Sequence, residues 1–332
     1  MRDVLNKLLE REELTLSEAR ETMLQIMSGA FDDVQMAGFL VALRAKGETA
    51  TEIAGFAQAM RENMVKVPVT VEAIDMCGTG GDAKGTFNIS TVASFIVAGA
   101  GVPVAKHGNR SITSSSGSAD VLAALGVDIE MAPEKVGRAV ETLGLGFMFA
   151  PVLHPAMRHV MPARKGLGIR TVFNLLGPLS NPAGVRRQVV GVFDGTLTET
   201  LAEVFRILGA RTALLVHGED GLDELTTTAA TGVSELKDSG DITSFTVHAG
   251  SLGLPRASLD DLQGGSPEEN AVITQEILQG QKGPRRDIVL LNAAAGLKVG
   301  GKAADLQEGL VLAAESIDSG RALKVLNELV EF

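Results

Sequence analysis

Residues 75–91 read DMCGTGGDAKGTFNIST. A short apolar run, Ala73–Cys77, leads into this stretch, and an apolar helical pattern, Thr91–Ala100, leads out of it. The spacing predicts a strand, a Gly-rich loop and a helix. Gly78, Gly80 and Gly81 permit tight backbone with positive φ. Such a loop offers amides and a helix N-terminus to a phosphate or pyrophosphate. A plain structural turn is an equally good reading of the glycines alone. The pattern is neither a Walker loop nor a GxGxxG fingerprint. Asp82 would repel a phosphate unless it holds a metal or orients an amide.

The same alternation continues outward. Val102–Ala105, Gly146–Phe149, Val189–Phe193 and Ala213–His217 read as strands, and Pro133–Leu143 and Leu197–Leu208 as helices. Strands alternating with helices predict an α/β fold with a central, mainly parallel sheet. Within residues 231–248, Val233–Leu236 and Ile242–Val247 flank Asp238-Ser-Gly-Asp241, which predicts an antiparallel hairpin. The first 65 or so residues contain no strand-like segment. Thr15 with Glu18 and Thr49 with Glu52 have the capping-box pattern, Asp32 and Asp33 precede a third helical run, and Gly29 and Gly47 suit helix stops. The chain from about 267 reads as helices. The fold expected is a small all-helical domain plus a large α/β domain.

With 332 residues and 45% hydrophobic content, the chain is long enough for more than one domain with a substantial core. Thirty basic and forty-one acidic residues give a net charge of −11, which argues against a nucleic-acid or membrane-surface binder. With no Trp or Tyr, the commonest base-stacking side chains are missing, although Phe could stack. A single cysteine, Cys77, excludes an intrachain disulfide and a CxxC metal knuckle. The N-terminus MRDVLNKLLEREE is charged and lacks the apolar centre of a secretory signal. The expected location is a reducing cytoplasm.

Two further segments carry chemistry. Residues 106–120, KHGNRSITSSSGSAD, gather Lys106, Arg110 and the hydroxyls of Ser111, Thr113, Ser114, Ser115, Ser116 and Ser118 between a strand and a helix. Cations and hydroxyls together suit an anion. The bland alternative is a Ser-rich linker, disfavoured by the apolar segments at both ends. Residues 217–225, HGEDGLDEL, bring Asp223 beside Glu224. Adjacent carboxylates are most often a solvated pair; on a loop they also suit Mg²⁺ bridging to a pyrophosphate.

Taken together, GTGGD, NIS, KHGNRS, SSSGSADVLAALG, residues 161–182 (MPARKGLGIRTVFNLLGPLSNP) and HGEDGLDEL resemble, in family order, the signature blocks of the anthranilate phosphoribosyltransferases. The resemblance implies transfer of a phosphoribosyl group from phosphoribosyl pyrophosphate to the amine of anthranilate, with Mg²⁺ as cofactor, in tryptophan synthesis. It implies the fold shared by class IV phosphoribosyltransferases and pyrimidine nucleoside phosphorylases. It also implies a discontinuous helical domain, residues 1–67 with a return near 160–183, beside an α/β domain of 68–159 and 184–332. Composition alone points only to the first part of the helical domain.

Residue by residue, the resemblance implies phosphoribosyl pyrophosphate contacts from Gly78, Thr79, Gly80, Gly81, Asp82, Thr86, Asn88, Ser90, Thr91, Lys106, His107, Gly108, Asn109, Arg110, Ser114 and Ser118. It implies an anthranilate site at Gly78, His107, Asn109, Arg164, Arg170 and Pro178, and metal contacts from Ser90, Asp223 and Glu224. Arg164 suits the anthranilate carboxylate, since a guanidinium grips it with two parallel bonds; a solvated helix residue is the alternative. No general base is expected. His154 and His159 are read as structural, and His217 and His248 have no evident partner. A homodimer through the N-terminal helices is expected, with the stripe Met36, Phe39, Leu40 and Leu43 serving either as its surface or as core. No nucleic-acid or membrane partner is expected. The nearest rival is a pyrimidine nucleoside phosphorylase, against which KHGNRS and the acidic pair weigh. A catalytically silent nucleic-acid-binding relative is disfavoured by the charge.

Overall fold

The computed structural model describes residues 1–111 and 115–332. Four helices open the chain: α1 (Arg2–Leu9), α2 (Leu16–Met27), α3 (Asp33–Lys46) and α4 (Ala50–Asn63). Both expected capping boxes form. The Thr15 hydroxyl accepts the Glu18 amide at 3.2 Å while the Glu18 carboxylate accepts the Thr15 amide at 2.9 Å, and Thr49 pairs with Glu52 in the same way. A third box, Asp32 with Gln35, starts α3. Gly47 ends α3 at φ +91°, a conformation costly for any residue with a Cβ. Met36, Phe39, Leu40 and Leu43 are each no more than 1% exposed. They are core of this chain, so the surface-stripe alternative is overturned: a dimer has to use other residues.

Seven strands form one sheet: β1 (Ile74–Gly78), β2 (Val104–Gly108), β3 (Leu145–Phe149), β4 (Arg187–Gly191), β5 (Thr212–Gly218), β6 (Ala230–Leu236) and β7 (Ile242–His248). Their order is β3-β2-β1-β4-β5-β6-β7. The first five run parallel, and β6 and β7 add the expected antiparallel hairpin. Strand β2 begins at Val104 rather than Val102 because Pro103 has no amide for the ladder; its carbonyl instead accepts the Ile74 amide at 2.9 Å.

The parallel strands are nearly continuous apolar runs because both faces are covered. One face packs against α5 (Ile89–Gly99) and the C-terminal helices, Pro284–Val299 among them. On the other face Val190, Val192, Ala213 and Leu215 share a core with α1–α4, with Val160, Ala163, Phe173, Leu176 and Leu179, and with the helix Thr198–Ile207. The chain moves outward in one direction through β1, β2 and β3, and in the other through β4 and β5. The reversal falls between β1 and β4. In open α/β sheets, ligands bind beyond the carboxyl ends of the strands at such a point. The loops that leave β1, β2 and β5 there are the three chemical segments of the sequence.

Candidate active site

The ends of β1 and β4 are both glycine, Gly78 paired with Gly191. The reason is the acidic loop that crosses them. A Cβ on Gly191 would lie 1.6 Å from the Asp223 carbonyl oxygen, and one on Gly78 would lie 2.6 Å from Asp223 Oδ2. A side chain at Gly191 would collide with backbone, and one at Gly78 would push the Asp223 carboxylate aside. Gly191→Ala should therefore displace Asp223 and lower kcat/KM by about tenfold or more, the scale of a misplaced catalytic group. Activity within twofold of the parent in a folded Gly191→Ala protein would contradict this packing.

Asp223 Oδ2 accepts the Gly80 amide at 3.0 Å, and Glu224 Oε1 accepts the Ser90 amide at 3.2 Å. Two donors that the Gly-rich loop and the start of α5 would offer to a phosphate are thus engaged by the acidic pair. Ser90, Asp223 and Glu224, the expected metal contacts, are brought together. Burial, with Asp82 next in effect, pushes Asp223 up to about 7. Burial and then Asp223 push Glu224 up to about 8, which Lys106 opposes. Crowded carboxylates that resist ionisation are relieved by a divalent cation. Among the described residues no group of three or more His, Cys, Asp or Glu side chains forms a metal cage.

Other expected contacts have mixed fates. Thr79 works inside the fold: its amide donates to the Gly191 carbonyl and its hydroxyl accepts the Phe193 amide. Thr86 forms a bridge to Gln263. Asn88 donates to the Ser116 carbonyl at 3.1 Å and accepts from Asn270, tying two loops to a distant helix. Thr91 is buried, and its hydroxyl has no hydrogen-bond partner among the described residues. Lys106 is 2% exposed; its Nζ reaches the Met76 carbonyl and Ser90 Oγ, so it lies under the site floor. Asn109 accepts the Arg110 amide at 2.7 Å, and Ser118 donates to the Asn109 carbonyl. Gly108 leaves room for Ser118, whose Oγ would lie 2.2 Å from an added Cβ. Thr113 and Ser114 lie outside the described residues.

Asp120 organises this second loop. It accepts from the Arg110 guanidinium at 2.8 Å and from the Ser111 and Gly117 amides at 3.0 and 2.9 Å. Sequence reasoning passed over Asp120, Asn270 and Gln263; only Asp120 lay inside a block already singled out.

Arg164 sits on the short helix Met161–Leu167, partly buried, with its guanidinium 5.6 Å above the Phe173 ring. No carboxylate pairs with it among the described residues. Arg170 donates to the Gly81 carbonyl and stacks 4.3 Å from the Phe193 ring centre. It therefore braces the Gly-rich loop. Pro178 is buried in the helix Phe173–Leu179.

His107, at the end of β2, meets His154, which was read as merely structural. Their Nε2 atoms are 3.2 Å apart, and His107 Nδ1 lies 3.3 Å from the Gly177 carbonyl. A carbonyl only accepts, so His107 donates from Nδ1 to Gly177. Both ring nitrogens of His107 are thus engaged within the protein.

Burial, with the neighbouring imidazole next, holds His107 at about 3, and burial holds His154 at about 4. An unfolded histidine titrates near 6.5, so as pH falls below that value only the unfolded chain gains protons. The stabilisation is fully present above about 6.5 and is lost as pH falls toward 4, at about 2 kcal/mol for each ring by pH 5. His154→Gln should remove its share of that loss. Urea unfolding at pH 7.5 and 5 checks this, and identical pH dependence in variant and parent would contradict it.

With the geometry in place, the chain can be set beside known proteins. Residues 70–323 match the glycosyl transferase family a/b domain, and residues 2–64 match the glycosyl transferase family helical bundle domain. The anthranilate phosphoribosyltransferase of Symbiobacterium thermophilum is 50% identical over 336 aligned positions, covering 100% of this chain and 97% of the relative. The chain belongs to the anthranilate phosphoribosyltransferase family. The crystal structure of the Thermus thermophilus family member superposes with a TM-score of 0.93 at 47% identity, covering 99% of this chain and 98% of that one. The family member from Saccharomyces cerevisiae, solved in complex with phosphoribosyl pyrophosphate and Mg, superposes at 0.91 with 30% identity, covering 99% and 96%. The same yeast enzyme has been solved with 4-fluoroanthranilate; there the TM-score is 0.89 at 29% identity, with the same coverages. The fold expectation is met: a helical bundle beside an α/β domain with a mixed, mostly parallel sheet.

Proposed function

We infer that the site transfers the phosphoribosyl group of phosphoribosyl pyrophosphate to the amino group of anthranilate, releasing pyrophosphate, in tryptophan biosynthesis. The observation that carries the mechanism is the seat of Asp223 and Glu224, over the glycine-ended β1 and β4, at the point where strand order reverses. The chain is a glycosyltransferase of this family, and its cofactor is Mg²⁺. Ser90, Asp223 and Glu224 would hold the ion. When bound, Mg²⁺ neutralises charge that builds on the departing pyrophosphate.

The chain's own groups do the rest. The bond from the anomeric carbon to the pyrophosphate oxygen breaks as the arylamine nitrogen bonds to that carbon, through an oxocarbenium-like transition state. Asp82, Gly80 and Gly81 shape the loop around the leaving group, and Arg170 braces it. Asn109, Ser118 and Arg110 face the ribose and its phosphate. An arylamine is already neutral at pH 7, so the requirement is orientation rather than a base; the arylammonium formed is strongly acidic and gives its proton to the departing pyrophosphate or to water. Arg164 supplies it by gripping the ring's carboxylate, with His107 and Pro178 as walls. The committed nitrogens of His107 support the absence of a general base. Mass-spectrometric identification of N-(5-phosphoribosyl)anthranilate, with no phosphorolysis of thymidine or uridine, is the expected outcome. Phosphorolysis without the transferase product would replace this reading with the phosphorylase one.

We also propose the domain division 1–67 with 160–183 against 68–159 with 184–332. It is supported by the packing of Val160, Phe173 and Leu176 in the α1–α4 core. A cytoplasmic location is proposed from the single cysteine; among the described residues no helix is long and apolar enough to cross a membrane. A homodimer through the N-terminal helices is proposed on new residues, Val34 and Val41 of α3 and Leu9 of the adjacent α1, exposed by 82, 44 and 72%. Light scattering should give a dimer mass, and Val34→Glu with Leu9→Glu should give a monomer. A monomer mass for the parent at micromolar concentration would refute the interface.

A further inference from the structure

Neighbouring parallel strands ordinarily share a continuous ladder, and β1–β4 and β2–β3 each pair over five residues. The pairing of β1 with β2 consists of one register pair, Ile74 with Val104. Beyond it the two strands are bridged by side chains. The His107 amide of β2 donates to Asp75 Oδ1 of β1 at 3.2 Å. The Ala105 carbonyl of β2 accepts Asn181 Nδ2 at 3.0 Å, and the same nitrogen donates to Asp75 Oδ2 at 2.8 Å. Lys106 Nζ of β2 reaches the Met76 carbonyl of β1. Three groups that a closed ladder would pair are therefore satisfied by Asp75, Asn181 and Lys106.

Asn181 comes from neither strand. It lies in the turn after the helix Phe173–Leu179, where the chain crosses from the α1–α4 core back to the sheet. It is 2% exposed, and its Oδ1 accepts the Ala183 amide at 2.9 Å. Asp75 is fully buried, and burial raises its carboxyl above the usual range against the pull of Lys106. A buried carboxylate is costly unless it is hydrogen-bonded. Gln188, its register partner on β4, makes no hydrogen bond to it.

We propose that Asn181, held by Asp75 in the opening between β1 and β2, is a positioning residue for the anthranilate side of the site. The opening lies directly before His107. The inserted turn follows Gly177 and Pro178, and Gly177 accepts from His107. One carboxamide thus sets the distance between the two walls assigned to anthranilate; the inference rests on that assignment. The seat of the leaving pyrophosphate is built on the intact β1–β4 ladder, and the loop that carries Asn109 and Arg110 is held separately by Asp120 and by the β2–β3 ladder. Loosening the wedge should weaken anthranilate use selectively.

The test is steady-state kinetics on Asn181→Ala, Asp75→Asn, Asn181→Asp and the exchange Asp75→Asn with Asn181→Asp, with Arg164→Ala alongside. Asn181→Ala should raise KM for anthranilate by about tenfold or more, with KM for phosphoribosyl pyrophosphate changed by less than about threefold, in line with the effect of small misplacements. The exchange keeps the bonds from the His107 and Ala183 amides and the bond between the two side chains but not the donor to the Ala105 carbonyl, so it should restore part of what Asn181→Asp loses. If Asn181→Ala does not fold, the isosteric Asp75→Asn carries the same comparison. Equal changes in both KM values, no change, or an exchange no better than Asn181→Asp would overturn the proposal. If Arg164→Ala raises KM for anthranilate while the wedge variants do not, positioning alone fails. If none of them does, the anthranilate assignment fails with it.

Discussion

Asp223→Asn combined with Glu224→Gln should lower kcat/KM by about a thousandfold or more, since removing a single group that stabilises transition-state charge typically costs 10²–10³. The remaining activity should respond weakly to Mg²⁺. Unfolding would not explain such a loss. Both carboxylates have raised folded-state pKa values, so their charged forms weigh against the fold at neutral pH, and neutral amides relieve that burden. The double variant should therefore be at least as stable as the parent, the usual trade between activity and stability at a site of crowded charge. Thermal unfolding and a Mg²⁺ titration of the rate check both halves. Full activity with an unchanged titration would remove the pair from the mechanism.

Arg164→Ala should raise KM for anthranilate by roughly 2–4 kcal/mol in free-energy terms, about 30- to 1000-fold, the cost of stripping a charged partner from a desolvated group. KM for phosphoribosyl pyrophosphate should change far less. The guanidinium is partly desolvated, stacked on Phe173 and free of any protein carboxylate among the described residues, so it is available to a substrate anion. Arg164→Lys should recover only part of the loss, because an ammonium lacks the planar fork. Steady-state measurement with each substrate varied decides the matter; equal changes for both, or none, would remove Arg164 from the anthranilate site.

Much of the fold was legible because apolar runs, helical spacing and turn residues agreed with one another. The five parallel strands and the 230–248 hairpin lie close to where alternation placed them, and the capping boxes at Thr15 and Thr49 form as written. The α3 stripe could be read as surface or core because periodicity marks which face is apolar but not what covers it. In the site, loop composition marked the Gly-rich, basic and acidic segments. It could not show that Lys106 would turn beneath the floor, or that Arg170 would brace the loop at Gly81, since both depend on contacts between segments far apart in the chain. Asp75 and Asn181, 106 positions apart, carry no local signal of their pairing.

The loss of anthranilate fluorescence in the presence of phosphoribosyl pyrophosphate, Mg²⁺ and the purified chain tests the assigned reaction most directly. The expected result is a decay proportional to enzyme concentration that stops when any one of the three is omitted, with one pyrophosphate released for each anthranilate consumed. Constant fluorescence with folded protein and both substrates, or pyrophosphate release that ignores anthranilate, would contradict it.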